Sequence, residues 1–136
     1  MDFKNIINGK ICPYCNCSTE LILGDLIYPH KVLLIPRPKY LDKWYYRCVE
    51  NLDHYVGTYS DNKTSLGRLA DNELRKWKNK GHNIFDPLWR DKKIFKSQKE
   101  AYKWLSKKME LSIEHTHFGM FTIEQCQQAI NFCEQL

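Results

Sequence analysis

Cys12-Pro-Tyr-Cys15 constrains this chain more than any other stretch of its sequence. Two thiolates three positions apart on a tight turn point at one ion, and the turn's amides can hydrogen-bond the sulfurs. Zinc requires four such ligands in a tetrahedron. Cys48, at the end of the strand-like run Trp44-Tyr45-Tyr46-Arg47-Cys48, is the obvious third. Asn51 occupies the place where a second Cys-x-x-Cys would be completed, so His54, six residues after Cys48, is the best substitute for the fourth. Asp53, His30 and a water compete with His54, and Cys17 competes with Cys15, because Cys-x-Cys also ligates. Four protein ligands leave no open position for substrate, so the expected Zn2+ is structural.

Size makes such an ion useful. A sheet of about sixty residues has too little core to be secure alone, and one ion clamping two hairpins supplies much of the missing stability. The whole chain has 136 residues, 43% hydrophobic and 13% aromatic, which fits one domain or a small module fused to a second small layer. No apolar run approaches the ~20 residues that span a bilayer. The longest, Val32-Leu33-Leu34-Ile35, has strand length. The start, Met1-Asp2-Phe3-Lys4, lacks the charged region and apolar core of a secretory signal. A cytoplasmic protein without membrane partners is expected, in a compartment where cysteines more often bind metal than pair. Three disulfides are the competing reading of the six cysteines.

The pattern divides near residue 62. Residues 1–62 read as a zinc-ribbon β module, with strands expected at Lys10–Cys12, Leu21–Leu23, Val32–Ile35, Trp44–Cys48 and Tyr55–Tyr59, rich in β-branched and aromatic residues. Residues 63–136 read as a helical part of three to four helices, packed as one unit with the first. The fold class expected is therefore α+β. From Ser65 onward Ala70, Leu74, Trp77, Gly81, Ile84, Phe85 and Leu88 recur at helical steps. Asp86-Pro87 is expected to interrupt this helix, because proline disfavours helical geometry in its predecessor. A short helix then restarts at Pro87, with Asp86 as its cap. Ser97-Gln98-Lys99-Glu100 and Thr122-Ile123-Glu124-Gln125 are capping-box sequences that open two further helices. Cys126, Ala129, Ile130 and Cys133 follow the second at core spacing, so both cysteines read as small buried hydrophobes.

Charge is unevenly placed. Between Arg75 and Lys108 stand twelve Lys/Arg against three Asp/Glu, an excess of +9 in a chain of net charge +5, which leaves −4 elsewhere. A basic segment interleaved with Trp77, Trp89, Tyr102 and Trp104 attracts phosphates through counterion release. Arg75, Lys76, Lys78, Lys80, Arg90, Lys92 and Lys93 are the expected phosphate contacts, and the expected partner is nucleic acid or an acidic protein. A solvated helix face is the competing explanation. A protein-interaction module acting on a host or phage machine is a second functional class. A metal-dependent nuclease using His82 and Asp86 is a third, with Glu73 and His117 nearby candidates. No P-loop, GxSxG, HExxH or dinucleotide fingerprint occurs.

One further pattern runs through the chain. Cys12-Pro-Tyr-Cys15 is followed by Tyr46-x-Cys48, Tyr55-Val56-Gly57 and Leu66-Gly67-x-Leu69-Ala70-Asp71-x-Glu73-Leu74-Arg75. Then come Gly81-His82, Phe85-Asp86-Pro87-Leu88-Trp89, Ala101-Tyr102-x-Trp104-Leu105 and His117-x-Gly119-Met120-Phe121. From Cys12 to about Cys133 this string resembles a zinc-finger-containing domain family of unknown function from bacterial and phage genomes. The resemblance implies a zinc ribbon packed on a helical part, and a setting in phage or mobile-element biology. The family's second knuckle is usually Cys-x-x-Cys just before Tyr-Val-Gly. Here Cys48-Val-Glu-Asn-Leu-Asp-His54 stands in its place.

Overall fold

The computed structural model of the chain describes residues 3–91 and 94–136. It is α+β and falls into two compact units, one ending at Asn72 and one running from Glu73 to Leu136.

The N-terminal unit is built on an antiparallel sheet in the order β1 (Thr19–Leu23), β2 (Trp44–Cys48), β3 (Tyr55–Gly57). Leu21 lies opposite Tyr46 and Thr19 opposite Cys48, while Tyr46 also faces Val56 across the other edge of β2. Side chains alternate along a strand, so β2 sends Tyr46 and Cys48 to one face and Tyr45 to the other. On the first face Tyr46, Cys48 and Val56 join Cys12 and Leu69 in one buried cluster. On the second, Tyr45 packs edge-on against Tyr28 at 6.2 Å and Tyr55 at 6.1 Å. Short helices α1 (Phe3–Ile7) and α2 (Gly24–Ile27) flank the sheet. Gly24 permits a close backbone approach there, because a Cβ would stand 2.9 Å from the Leu41 Cα.

Three strand expectations are corrected. Lys10–Cys12 makes only an isolated bridge, Ile11 to Ser18. Tyr55–Tyr59 shortens to β3, beyond which Thr58 bridges Ser65. Val32–Ile35 is no strand: it follows a 3-10 turn at Pro29–Lys31 and leaves Leu33 89% and Ile35 96% exposed. Pro29 and Pro36 bracket that run, and Pro36 and Pro38, just past it, cannot donate to a ladder that would extend it.

The helical part also starts later than Ser65. Residues 65–71 bend at Leu66–Arg68 and pair back onto the strand region: Leu66 N donates to Gly57 O, and Tyr55 and Ala70 exchange two hydrogen bonds. Ala70 is buried as a bridge partner, not as part of a helical stripe. Helix α3 (Asn72–Arg90) then runs through Pro87 without a break. Proline inside a helix costs about 3 kcal/mol. Burying Phe85 and Leu88 on either side returns ~1.5–3 kcal/mol each, and Pro87 lies only one turn from the helix end. Asp86 is therefore an interior helix residue and not a cap.

In the C-terminal unit, α4 (Gln98–Met109) and α5 (Ile123–Glu134) complete the core. Thr122 and Gln125 form the full reciprocal capping box. Ser97 accepts from Glu100 N as expected, but the Glu100 carboxylate takes the amide of Lys96, one residue early. Cys126 and Cys133 are buried beside Ala129 and Ile130, as the spacing predicts. The segment between α4 and α5 forms two 3-10 turns, which seat Phe118 and Phe121 in the core.

Candidate metal centre

The first knuckle is shaped by local backbone. Pro13 has no N–H, and the nearby backbone amides of Cys15 and Tyr14 oppose the rise that burial causes in the Cys12 thiol. Asn16 takes a left-handed conformation (φ 55°), which asparagine tolerates, and its amide donates to Cys12 O at 2.8 Å. The chain then folds back, and Cys12 N donates to Cys17 O at 2.9 Å.

The second knuckle grows from the end of β2. Cys48 N donates to His54 O at 2.9 Å, closing the β2–β3 connection. The amides of Glu50 and Asn51 point at the Cys48 sulfur at 3.4 and 3.3 Å. Asn51, where the sequence lacks a cysteine, therefore still works for the centre. Its side-chain oxygen also accepts from Asp53 N at 3.0 Å, turning the chain so that His54 faces inward.

Cys12, Cys15, Cys48 and His54 offer donor atoms that all lie within 4.8 Å of one another. His54 Nδ1 is 3.4 Å from Cys12 Sγ and 3.6 Å from Cys15 Sγ. Zinc bonds of ~2.3 Å to sulfur and ~2.0 Å to nitrogen put the N···S edge of a tetrahedron at about 3.5 Å. The donor set is thus arranged to bind a metal ion and fits a structural zinc in kind, number and spacing. Cys12 and Cys48 are fully buried, and His54 is buried under Tyr14, whose ring centroid lies 4.4 Å from the imidazole. The Tyr14 hydroxyl accepts from Asp71 N at 3.2 Å, which holds the ring in place.

Electrostatics separate the thiols. Burial raises Cys12. Burial and the nearby Cys48 sulfur push Cys15 up to about 12. Cys48 also suffers burial, yet donation from Asn51, Cys17 and Glu50 holds it below the ordinary thiol value. Cys48 is the group best prepared to meet the ion as a thiolate. The competitors for the fourth position are engaged elsewhere. Asp53 accepts from Asn72 N at 3.1 Å, and His30 is exposed against the edge of Tyr28. Cys17 is different: its sulfur sits 3.3 Å from that of Cys48.

A family model described as a zinc-finger-containing domain matches residues 8–136. The chain belongs to that family. The match covers both knuckles and continues through the C-terminal unit to the last residue. No curated protein and no solved structure matches the chain.

Most of the remaining singled-out residues of this zinc-finger-containing domain lie on α3, whereas His117 precedes the 3-10 turn Phe118–Met120. Lys76 and Lys80, one turn apart, are both exposed, and Lys80 Nζ sits 5.0 Å from the Trp77 ring centroid. Arg75 is half-buried. Lys78 is half-buried and donates to Gly119 O at 3.0 Å. Arg90 is exposed, 3.5 Å from the Asp91 carboxylate. Lys92 and Lys93 lie outside the described residues. His82 Nδ1 is 3.3 Å from Asp86 Oδ2, the i,i+4 contact of a continuous helix. Among the described residues this pair joins no group of three metal donors. Among them, too, no helix is long and apolar enough to cross a membrane.

Sequence reasoning missed Tyr14, Asn51 and Asp53 as supports of the centre. Tyr14 acts through contacts distant in sequence, and Asp53 through distant Asn72 as well as neighbouring Asn51. Asn51 carried a signal in its place three residues after Cys48, where a knuckle amide reaches the sulfur whatever side chain it bears.

Proposed function

We propose that this chain is a zinc-stabilised nucleic-acid-binding module whose phosphate contacts lie on α3. The observation that carries the reading is the pair Lys76 and Lys80. They project one turn apart from the side of α3 opposite Leu74, Phe85 and Leu88. Among the described residues no carboxylate lies within salt-bridge distance of either ammonium group. Unneutralised cations at that spacing suit successive phosphates, and Trp77 beside Lys80 adds a partly exposed aromatic on which a base can stack. Arg90 extends the same side of the helix, and Arg75 and Lys78 flank it, with the Lys78 ammonium donating to Gly119 O.

Binding of this kind is dominated by counterion release, so affinity falls steeply with salt and depends little on sequence. Fluorescence anisotropy with labelled single- and double-stranded oligonucleotides across a salt series tests it. The double variant Lys76→Glu, Lys80→Glu should bind markedly more weakly and flatten the salt slope by about 1.5–2. Binding that ignores salt, or a double variant that binds like the parent, overturns the reading. Capture of an acidic protein with no oligonucleotide shift overturns it in favour of a protein partner.

A further inference from the structure

Cys17 lies just outside the four-ligand set, and the fold fixes it there. Its carbonyl accepts from Cys12 N at 2.9 Å, its neighbour Ser18 bridges Ile11, and Thr19 pairs with Cys48. The Cys17 sulfur therefore sits beside the centre by the same hydrogen bonds that build the first knuckle. It packs against the buried cluster together with Cys15 and stands 3.3 Å from the Cys48 sulfur. Cys15, Cys17 and Glu50 form a second group whose donor atoms lie within 4.8 Å of one another. This group and the inner four share Cys15.

We propose that Cys15, Cys17 and Glu50 form a second cation site, adjoining the inner centre and selective for a soft or borderline d10 divalent ion such as Zn2+ or Cd2+. A thiolate sulfur has lone pairs enough to bridge two ions, so sharing Cys15 costs the inner ion no ligand. The Cys48 sulfur, 3.3 Å from that of Cys17, stands beside the site. Charge favours the second ion. Three thiolates around one divalent cation leave the inner centre at −1, and the Glu50 carboxylate adds a further negative charge on its outer side. Two thiolates select against Mg2+ and Ca2+, which take oxygen ligands. Cys15 and Cys17 are half-buried and Glu50 is exposed, so the site opens to solvent and water completes its coordination. It is the weaker of the two sites and empties first.

This proposal rests on the inner centre holding an ion, and the test separates the two. Metal-free full chain is titrated with Cd2+ alone, and bound ions are counted by native mass spectrometry. Cadmium NMR reports the donors of each. Two ions are expected in the parent and one in Cys17→Ser, with the surviving signal showing the three-sulfur, one-nitrogen set. Glu50→Gln, a surface change that leaves the knuckles intact, should weaken the second ion alone by at least about tenfold. A single ion in the parent overturns the second site and leaves the inner centre standing. No ion overturns both. Two ions in both the parent and Cys17→Ser place the second ion elsewhere and overturn the proposal.

Discussion

Tyr14 is the residue on which the metal centre leans without being bound to it. Its ring covers the His54 imidazole at 4.4 Å, and its hydroxyl is held by the Asp71 amide at 3.2 Å. Groups that orient a ligand without touching the ion typically contribute 10–100-fold in metal affinity. Tyr14→Ala should therefore weaken zinc by roughly that factor in a chelator competition, whereas Tyr14→Phe, which keeps the ring, should stay within a few-fold. Equal affinities for parent and Tyr14→Ala would show that His54 is oriented by its own backbone alone. Cys12, Cys15 and Cys48 were legible from spacing, because a knuckle is a local turn with fixed offsets. His54 was legible only as one of several competitors. What selects it is the Asn51 turn and the β2–β3 closure, and what removes Asp53 is a hydrogen bond to Asn72, nineteen positions away. Neither is encoded in ligand spacing.

Elements show the same division between local and distant causes. Thr122-Ile123-Glu124-Gln125 forms its box as read, since both bonds close within four residues. Val32–Ile35 and Ala70 misled because hydrophobicity and period were right while the partner was wrong. The first is closed off by Pro29 and Pro36 on either side, and the second is paired to Tyr55 across the chain. Pro87 misled in the opposite sense: its local penalty is real, and flanking burial outweighs it. Gly81 is the position where these levels meet most sharply. A Cβ there would stand 2.2 Å from the Phe118 ring, which is fully buried against Phe85 and Phe121 and has nowhere to move. Alanine gains up to about 1 kcal/mol of helix propensity over glycine. Overpacking a rigid core costs roughly 1–3 kcal/mol. Gly81→Ala should thus destabilise the C-terminal unit by roughly 1–2 kcal/mol, seen as a lower urea midpoint at unchanged slope. Phe118→Leu in the same chain should cost less in the alanine background than in the parent. A stabilised Gly81→Ala would mean that the ring yields, and that helix propensity governs this position.

At the scale of the whole molecule, the two units rest on different physics. The C-terminal unit is held by buried Phe, Leu and Ala side chains that need no ion. In the N-terminal unit the buried cluster consists of Cys12, Tyr46, Cys48, Val56 and Leu69, so two of its five members are ligands. Without metal they are thiols packed against one another, and only three apolar side chains remain to hold that face of the sheet. Structural zinc contributes about 10–16 kcal/mol in small domains, more than such a cluster supplies. Chelation should therefore unfold the N-terminal unit while far-UV helical signal from α4 and α5 persists, giving a melt in two steps instead of one. The pH dependence follows from the same groups. In the metal-free chain burial raises Cys12, and burial with the Cys48 sulfur lifts Cys15 to about 12, so both hold protons near neutrality. The ion binds thiolates and must displace those protons. Protons are thus released on loading, zinc affinity rises with pH, and the stability that zinc lends is lost as pH falls. Titration in weakly buffered solution should record acid release on adding zinc, and a chelator series at rising pH should show tighter binding. Proton uptake, or an affinity that does not change with pH, would mean that the ion is not held by these thiols.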